Sequence, residues 1–271
     1  MLTAIAVAAA LVVVAAGVWA WRLRGRLAAT ERRLRGAAGE LEALQYAFSR
    51  FAPREVVDDI IAQGVSGRSA TKDVTIVFAD LHAFTALAEQ LDPERLVGLL
   101  NGYFAAMERA IAEHRGHVAK FIGDGILAVF GALEPNPWQT NDALHAALAM
   151  RAALATYNRR LEADGLPTLR VGIGIHRGPV VTGVLGGTAL VEYGVLGRAV
   201  NVAARVERLT RLHDADILVT EVVRDHADRR FRLRALPATT VKGLAEPLAT
   251  FAVEGFDPGG AGTSEAVGSV A

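Results

Sequence analysis

Two strand-like runs, 117–121 and 126–130, flank the tetrapeptide Ile122-Gly123-Asp124-Gly125, and a chain interrupted this way must fold back on itself at once. Glycine on both sides of an acid permits the backbone reversal of a hairpin and leaves the carboxylate accessible. Around this hairpin the apolar period alternates between 2 and 3.6. Further strand-like runs lie at 73–79, 169–175 and 179–184, with helical patterns at 84–115, 139–163 and 199–209. Strand, helix, hairpin, helix, strand is a βαββαβ order. The expected fold class is therefore α+β, with a ferredoxin-like core in a domain spanning 73–256. Shorter strands near 217–219, 231–235 and 249–254 would extend its sheet.

The segments around this domain have a different character. From Leu2 to Trp21 there is no charged residue, and Arg22, Arg24 and Arg26 come directly after. That length suits a transmembrane helix over 1–21, and the basic flank places the rest of the chain in the cytoplasm, at the inner (plasma) membrane. A cleaved signal peptide is the rival reading, but it would carry its positive charge before the apolar run. Leu27, Leu34, Leu41 and Phe48 recur every seven residues across 22–49, the seam of a short parallel coiled coil that would pair two chains. Gly25, Gly36 and Gly39 weaken it, and a single amphipathic helix is the alternative. A connecting helix is expected within 50–72, after Pro53, and the aperiodic stretch 257–271 reads as a disordered tail.

The chain has no cysteine, which excludes disulfides, thiolate metal sites and a cysteine nucleophile. Its formal net charge is zero, so the overall balance does not suggest nucleic acid as a partner.

Acids at strand ends carry the strongest chemical signal. Asp80 closes Val74-Thr75-Ile76-Val77-Phe78-Ala79, and Asp124 sits in the hairpin. A carboxylate there needs water, a donor or a cation, and two on neighbouring strands could share divalent metal ions and a polyphosphate. After Asp80 the chain passes through Leu81-His82-Ala83-Phe84-Thr85 into a helix, a turn that exposes N–H groups to phosphate oxygens. Lys120 precedes Asp124 by four residues, which the strand period would put on the same face. Asn201 and Arg205 share a helical face, where an amide and a guanidinium could hold a sugar and a phosphate. An ordinary surface arginine with a capping asparagine is the plainer reading of that pair. His176 comes after a core strand and is expected to make a structural hydrogen bond. His82 is expected to be an exposed loop histidine, although it could contact phosphate.

Together these stretches resemble the catalytic domain of the class III nucleotidyl cyclases, the adenylate and guanylate cyclase family. The resemblance runs from Phe48 to Val253. It rests on Phe78-Ala79-Asp80 with Phe84-Thr85, on Lys120 to Gly125, and on Val171-Gly172-Ile173-Gly174-Ile175-His176-Arg177-Gly178. Tyr193 to Gly197, Val200-Asn201 to Arg205, and Val241-Lys242-Gly243 with Pro247 complete it, in the family's order. The resemblance implies that Asp80, Asp124 and the Leu81 carbonyl hold two Mg²⁺ or Mn²⁺ ions. It implies that Phe84, Thr85 and Lys242 contact the substrate's phosphate side, that Asn201 orients the ribose, and that Arg205 stabilises the transition state. It also implies a homodimer in which one copy gives the metal aspartates and the other gives Lys120, Asn201 and Arg205.

Lys120 stands where the family reads adenine, and Gly194 occupies the second reading position, where a side chain would contact the amino group. ATP is the implied substrate and cyclic AMP the product. Guanylate cyclase activity, or a catalytically weak nucleotide-binding regulator, are the alternatives. A diguanylate cyclase would show a Gly-Gly-Asp/Glu-Glu-Phe signature, whereas the turn here reads Ile122-Gly123-Asp124-Gly125. Ala83 and Arg198 depart from the family's frequent glycine and aspartate.

Overall fold

The computed structural model describes residues 69–186, 191–241 and 246–259, with the single helical positions 19, 36 and 39. The chain divides into two units, 1–58 and 59–271. The expected membrane helix at 1–21, the coiled coil at 22–49 and nearly all of the connecting helix at 50–72 lie outside the described residues, as does the tail from 260. Among the described residues no helix is long and apolar enough to cross a membrane.

The domain runs β1 (Ala70–Leu81), α1 (Phe84–Ala88), α2 (Pro93–Ala112), β2 (His117–Ile122), β3 (Gly125–Phe130), α3 (Gln139–Ala163) and β4 (Val171–Gly186). It continues with β5 (Val191–Leu196), α4 (Arg198–His213), β6 (Ile217–Thr220), α5 (Glu221–His226), β7 (Phe231–Ala235) and β8 (Thr250–Phe256). The sheet order is β2-β3-β1-β4-β6-β8-β7, with β5 also paired to β4. β1 lies antiparallel between β3 and β4, the strand arrangement of the expected ferredoxin-like core.

β1 is apolar on both faces because both are covered. Val77, Ala79 and Leu81 join the cluster beneath α2 and α3, including Tyr103, Met107, Leu144 and Met150. Val74 and Ile76, with Phe78, pack toward Ala199 and Ala203 of α4. Asp80 continues this second row, so alternation along one strand aims the acid at α4.

α4 approaches β4 along a track of glycines. A Cβ at Gly174 would lie 2.5 Å from the Ala203 carbonyl oxygen and 2.7 Å from Glu207 Cα. At Gly172 it would lie 2.7 Å from His82 Nε2 and 2.9 Å from Glu207 Oε1. Side chains at these positions would hold the helix away from the sheet.

Two boundaries differ from the expected ones. The single helix over 84–115 is two, because Asp92 accepts the Glu94 N–H at 2.9 Å and Pro93 opens α2 as a new helix. The strands at 169–175 and 179–184 are one, β4, paired to β1 without a break from Val171 to Thr182. Pro179 is tolerated because it falls between the stretches of β4 that pair with β6 and with β5. β5 and α5 were not anticipated.

Candidate active site

The β2–β3 hairpin leaves two residues, Gly123 and Asp124, between the paired Ile122 and Gly125. Gly123 has φ 62°, which glycine adopts without strain. Because Ala79 pairs with Ile126, the turn delivers Asp124 beside Asp80. The two carboxyl groups are within hydrogen-bonding reach, and Asp124 also accepts its own N–H and that of Leu81. Partial burial, then the charge on Asp80 and the shared hydrogen bond, push the Asp124 carboxyl up to about 6. The fold thus forces two acids together that a cation would relieve.

The residues present fit a divalent metal. Asp80, Asp124 and the Leu81 carbonyl offer oxygen ligands, and a Cβ at Gly125 would lie 3.4 Å from Asp80 Oδ1. Among the described residues no group of three or more His, Cys, Asp or Glu gathers at one point. A site with two carboxylates must therefore complete its coordination with phosphate and water oxygens, the habit of Mg²⁺ at nucleotide sites.

Lys120 and Asp124 do not share a strand face as their spacing suggested. Asp124 is in the turn, and the β2 register shifts between Val118 and Lys120. Lys120 is nonetheless exposed, on the edge strand of the sheet. Phe84 is half-buried against the core and Thr85 is exposed, both in the short helix after Asp80. Ala83, before that helix, has φ 56°, a left-handed conformation that glycine would adopt more easily. Gly194 lies in β5 opposite Gly183, so neither strand places a side chain there. Lys242 lies outside the described residues.

α4 presents two different faces. Ala199, Val202, Ala203, Val206, Glu207, Leu209 and Thr210 are buried. Asn201 is exposed and Arg205 half-exposed, on the stripe that continues to Arg208 and Leu212. The paired aspartates meet the other side of the helix. Arg211 donates to Asp80 Oδ2 at 3.1 Å and to the Leu81 carbonyl at 3.2 Å. The same guanidinium lies 3.4 Å from Glu207 Oε1.

Glu207, Arg211 and Tyr103 are site residues that the sequence reading missed. Burial is the main influence pushing the Glu207 carboxyl up to about 7, opposed by Arg211. Tyr103 is buried midway along α2, and burial with the charges of Asp80 and Asp124 holds its hydroxyl protonated far above its ordinary range. The available signal was an acid on the largely apolar stripe of α4.

His82 is not an exposed loop residue. It is half-buried, its Nε2 lies 3.2 Å from Thr210 Oγ1, and its N–H donates to the Arg170 carbonyl at 2.8 Å. Burial first, then the Arg211 charge, lowers its pKa. His176 makes the expected structural bond, Nδ1 to Thr220 Oγ1 at 2.9 Å. Burial pushes that imidazole down to about 4.

Comparison with known proteins agrees with this geometry. The chain is 39% identical over 218 residues to the adenylate cyclase of Anabaena cylindrica, an alignment covering 76% of this chain and 42% of that protein. The chain therefore spans less than half the length of that relative. The crystal structure of the guanylyl cyclase Cya2 superposes with a TM-score of 0.65 at 32% identity, covering 70% of this chain and 96% of that one. The adenylyl cyclase CyaB from P. aeruginosa gives a TM-score of 0.66 at 26% identity, covering 70% and 98%. Residues 67–255 match the adenylate and guanylate cyclase catalytic domain, and the chain belongs to that family.

Proposed function

We propose that the chain is an adenylate cyclase, converting ATP to 3′,5′-cyclic AMP and pyrophosphate at sites shared by two copies. The observation that carries this reading is the Asp80–Asp124 pair with the Leu81 carbonyl. It is a divalent-metal cradle at a strand end, in a chain of cyclase family. Divalent ions held there would acidify the ribose 3′-hydroxyl and neutralise charge on the triphosphate.

The protein's own residues do the rest by position and charge. Asn201 orients the ribose so that its 3′-oxygen lines up with the α-phosphate, and Arg205 meets the negative charge that grows as pyrophosphate leaves. Lys242 contacts the terminal phosphates, with Phe84 and Thr85 beside the phosphate turn. Lys120 donates to the adenine ring. Asn201 and Arg205 sit on the outward stripe of α4, away from the face that meets Asp80, which favours a second copy as the supplier of those groups. A coiled coil at 22–49 would raise the effective concentration of the two domains, with 1–21 anchoring them at the cytoplasmic face of the membrane.

A guanylate cyclase is the second reading. The likeness to Cya2 favours it, as does Gly194, which offers adenine no side-chain contact. Lys120 favours ATP, since its ammonium can only donate, and N1 of adenine accepts where N1–H of guanine donates.

The full chain, purified in detergent and supplied with ATP or GTP and Mn²⁺ or Mg²⁺, should yield mainly cyclic AMP on chromatography. Mainly cyclic GMP would reverse the substrate assignment, and no cyclic product would overturn the reading. Mixing Asp80→Asn with Arg205→Ala, each inactive alone, should restore about a quarter of wild-type activity. Half of randomly formed dimers are mixed, and each of those keeps one of its two sites. No recovery after subunit exchange would refute shared sites.

A further inference from the structure

One guanidinium occupies two of the oxygen ligands assigned to the metal. Arg211 donates to Asp80 Oδ2 at 3.1 Å and to the Leu81 carbonyl at 3.2 Å. It is itself 40% exposed, so it reaches the pair from the solvent side of α4. A divalent ion on Asp80 would face this cation at close range, and the two would compete for the same lone pairs.

The place to which Arg211 can withdraw is already built. Glu207 is 1% exposed, and its Oε1 has no hydrogen-bond partner among the described residues. A buried carboxylate oxygen without a donor is costly to keep. Oε1 lies 3.4 Å from Arg211 Nη1, close enough for an ion pair but outside hydrogen-bond geometry. Glu207 precedes Arg211 by four residues on α4, so rotation of the arginine side chain alone brings the two together.

We infer that Arg211 is the resident counter-cation of the metal site: it holds Asp80 and the Leu81 carbonyl in the metal-free protein and passes to Glu207 when a divalent ion binds. In the metal-free state it keeps two neighbouring acids from driving each other apart. In the loaded state it satisfies a buried acceptor that is otherwise left over. Arg211 is thus a positioning residue, and its role rests on Asp80, Asp124 and the Leu81 carbonyl being the metal site.

The test measures metal alone, without nucleotide. Mn²⁺ is titrated into the full chain near pH 8 and free Mn²⁺ is followed by electron paramagnetic resonance. Arg211→Gln should bind Mn²⁺ about tenfold more tightly than the wild type, because the ion no longer displaces a cation. Glu207→Gln should bind it more weakly, because the displaced guanidinium has nowhere to go. In the double variant the Glu207→Gln effect should vanish. A plain field effect of the Glu207 charge would instead persist there, and its persistence would overturn the exchange. Equal affinities for wild type and Arg211→Gln would overturn the inference while leaving the metal site standing. If neither binds Mn²⁺, both fall. Arg211→Met, which keeps the apolar stem packed, carries the same expectation should Arg211→Gln not fold.

Discussion

A single methyl group on β4 tests how the two faces of the site are assembled. Gly174→Ala would place a Cβ 2.5 Å from the Ala203 carbonyl oxygen and 2.7 Å from Glu207 Cα, with the Glu207 nitrogen closer still. All three are backbone atoms of one helix, so no rotamer change relieves the clash. Ordinary contact begins at 3.4 Å, so α4 must withdraw by about 1 Å from a close-packed interface. Overpacked cores lose about 1–3 kcal/mol when side chains can adjust. Here a whole helix moves away from the sheet, and the loss should reach about 3 kcal/mol, the upper end of that range. Asn201, Arg205, Glu207 and Arg211 ride on the same helix, and misplacement by about 1 Å costs on the order of a hundredfold in turnover. Urea unfolding followed by far-UV circular dichroism reads the first effect, and cyclic nucleotide production reads the second. Gly98→Ala is the control: it lies on the exposed face of α2 with nothing within 4 Å of its Cβ, and should gain about 0.5–1 kcal/mol. A Gly174→Ala protein within about 1 kcal/mol of wild type and fully active would refute the glycine-track account.

Two further outcomes concern single residues. Ala83 has φ 56°, so Ala83→Gly should stabilise the domain by about 1 kcal/mol in the same urea assay; a loss of stability would show that the methyl packs usefully. Asp124 has a folded pKa raised from 3.8 to about 6. The native state therefore holds the extra proton, so stability is present at low pH and declines as pH rises from the ordinary value through about 6. A divalent cation should cancel that decline. Mn²⁺ is expected to raise the melting temperature by roughly 3–5 °C near pH 7.5 and hardly at all near pH 4.5. Equal shifts at both pH values would contradict it.

What could be read from the sequence was what neighbouring residues decide. The β2–β3 hairpin was legible because Gly123 and Gly125 bracket its turn, and α3 at 139–163 because its periodicity is unbroken. The break before α2 was also local, in Asp92-Pro93, but the apolar pattern running across it outweighed that cue. β4 was read as two strands, 169–175 and 179–184, the second opening at Pro179. The strand continues there because β1 still pairs across it, with Asp73 opposite Pro179, while the other edge of β4 is free between its β6 and β5 stretches, and those strands arrive from later in the chain. β1 was read short for a related reason, since Ala70 to Lys72 are strand only through pairing with Val180 to Thr182.

The same division runs through the site. Asp80 and Asp124 announce themselves as acids at the ends of apolar runs. Arg211 does not, because the oxygens it serves are 131 and 130 residues away. His82 looked like a loop residue until the Arg170 carbonyl and Thr210 closed over it. Glu207 lay between these cases. A helix whose stripe of 199, 202, 203, 206, 209 and 210 packs on the sheet has no reason of its own to place a carboxylate among them. Burying a charge there is unfavourable unless something cationic comes to meet it. Arg211, one turn further on, is that cation, and it reaches Asp80 at the same time. An acid on a buried stripe, with arginine four residues later, was thus readable as a polar link between helix and site.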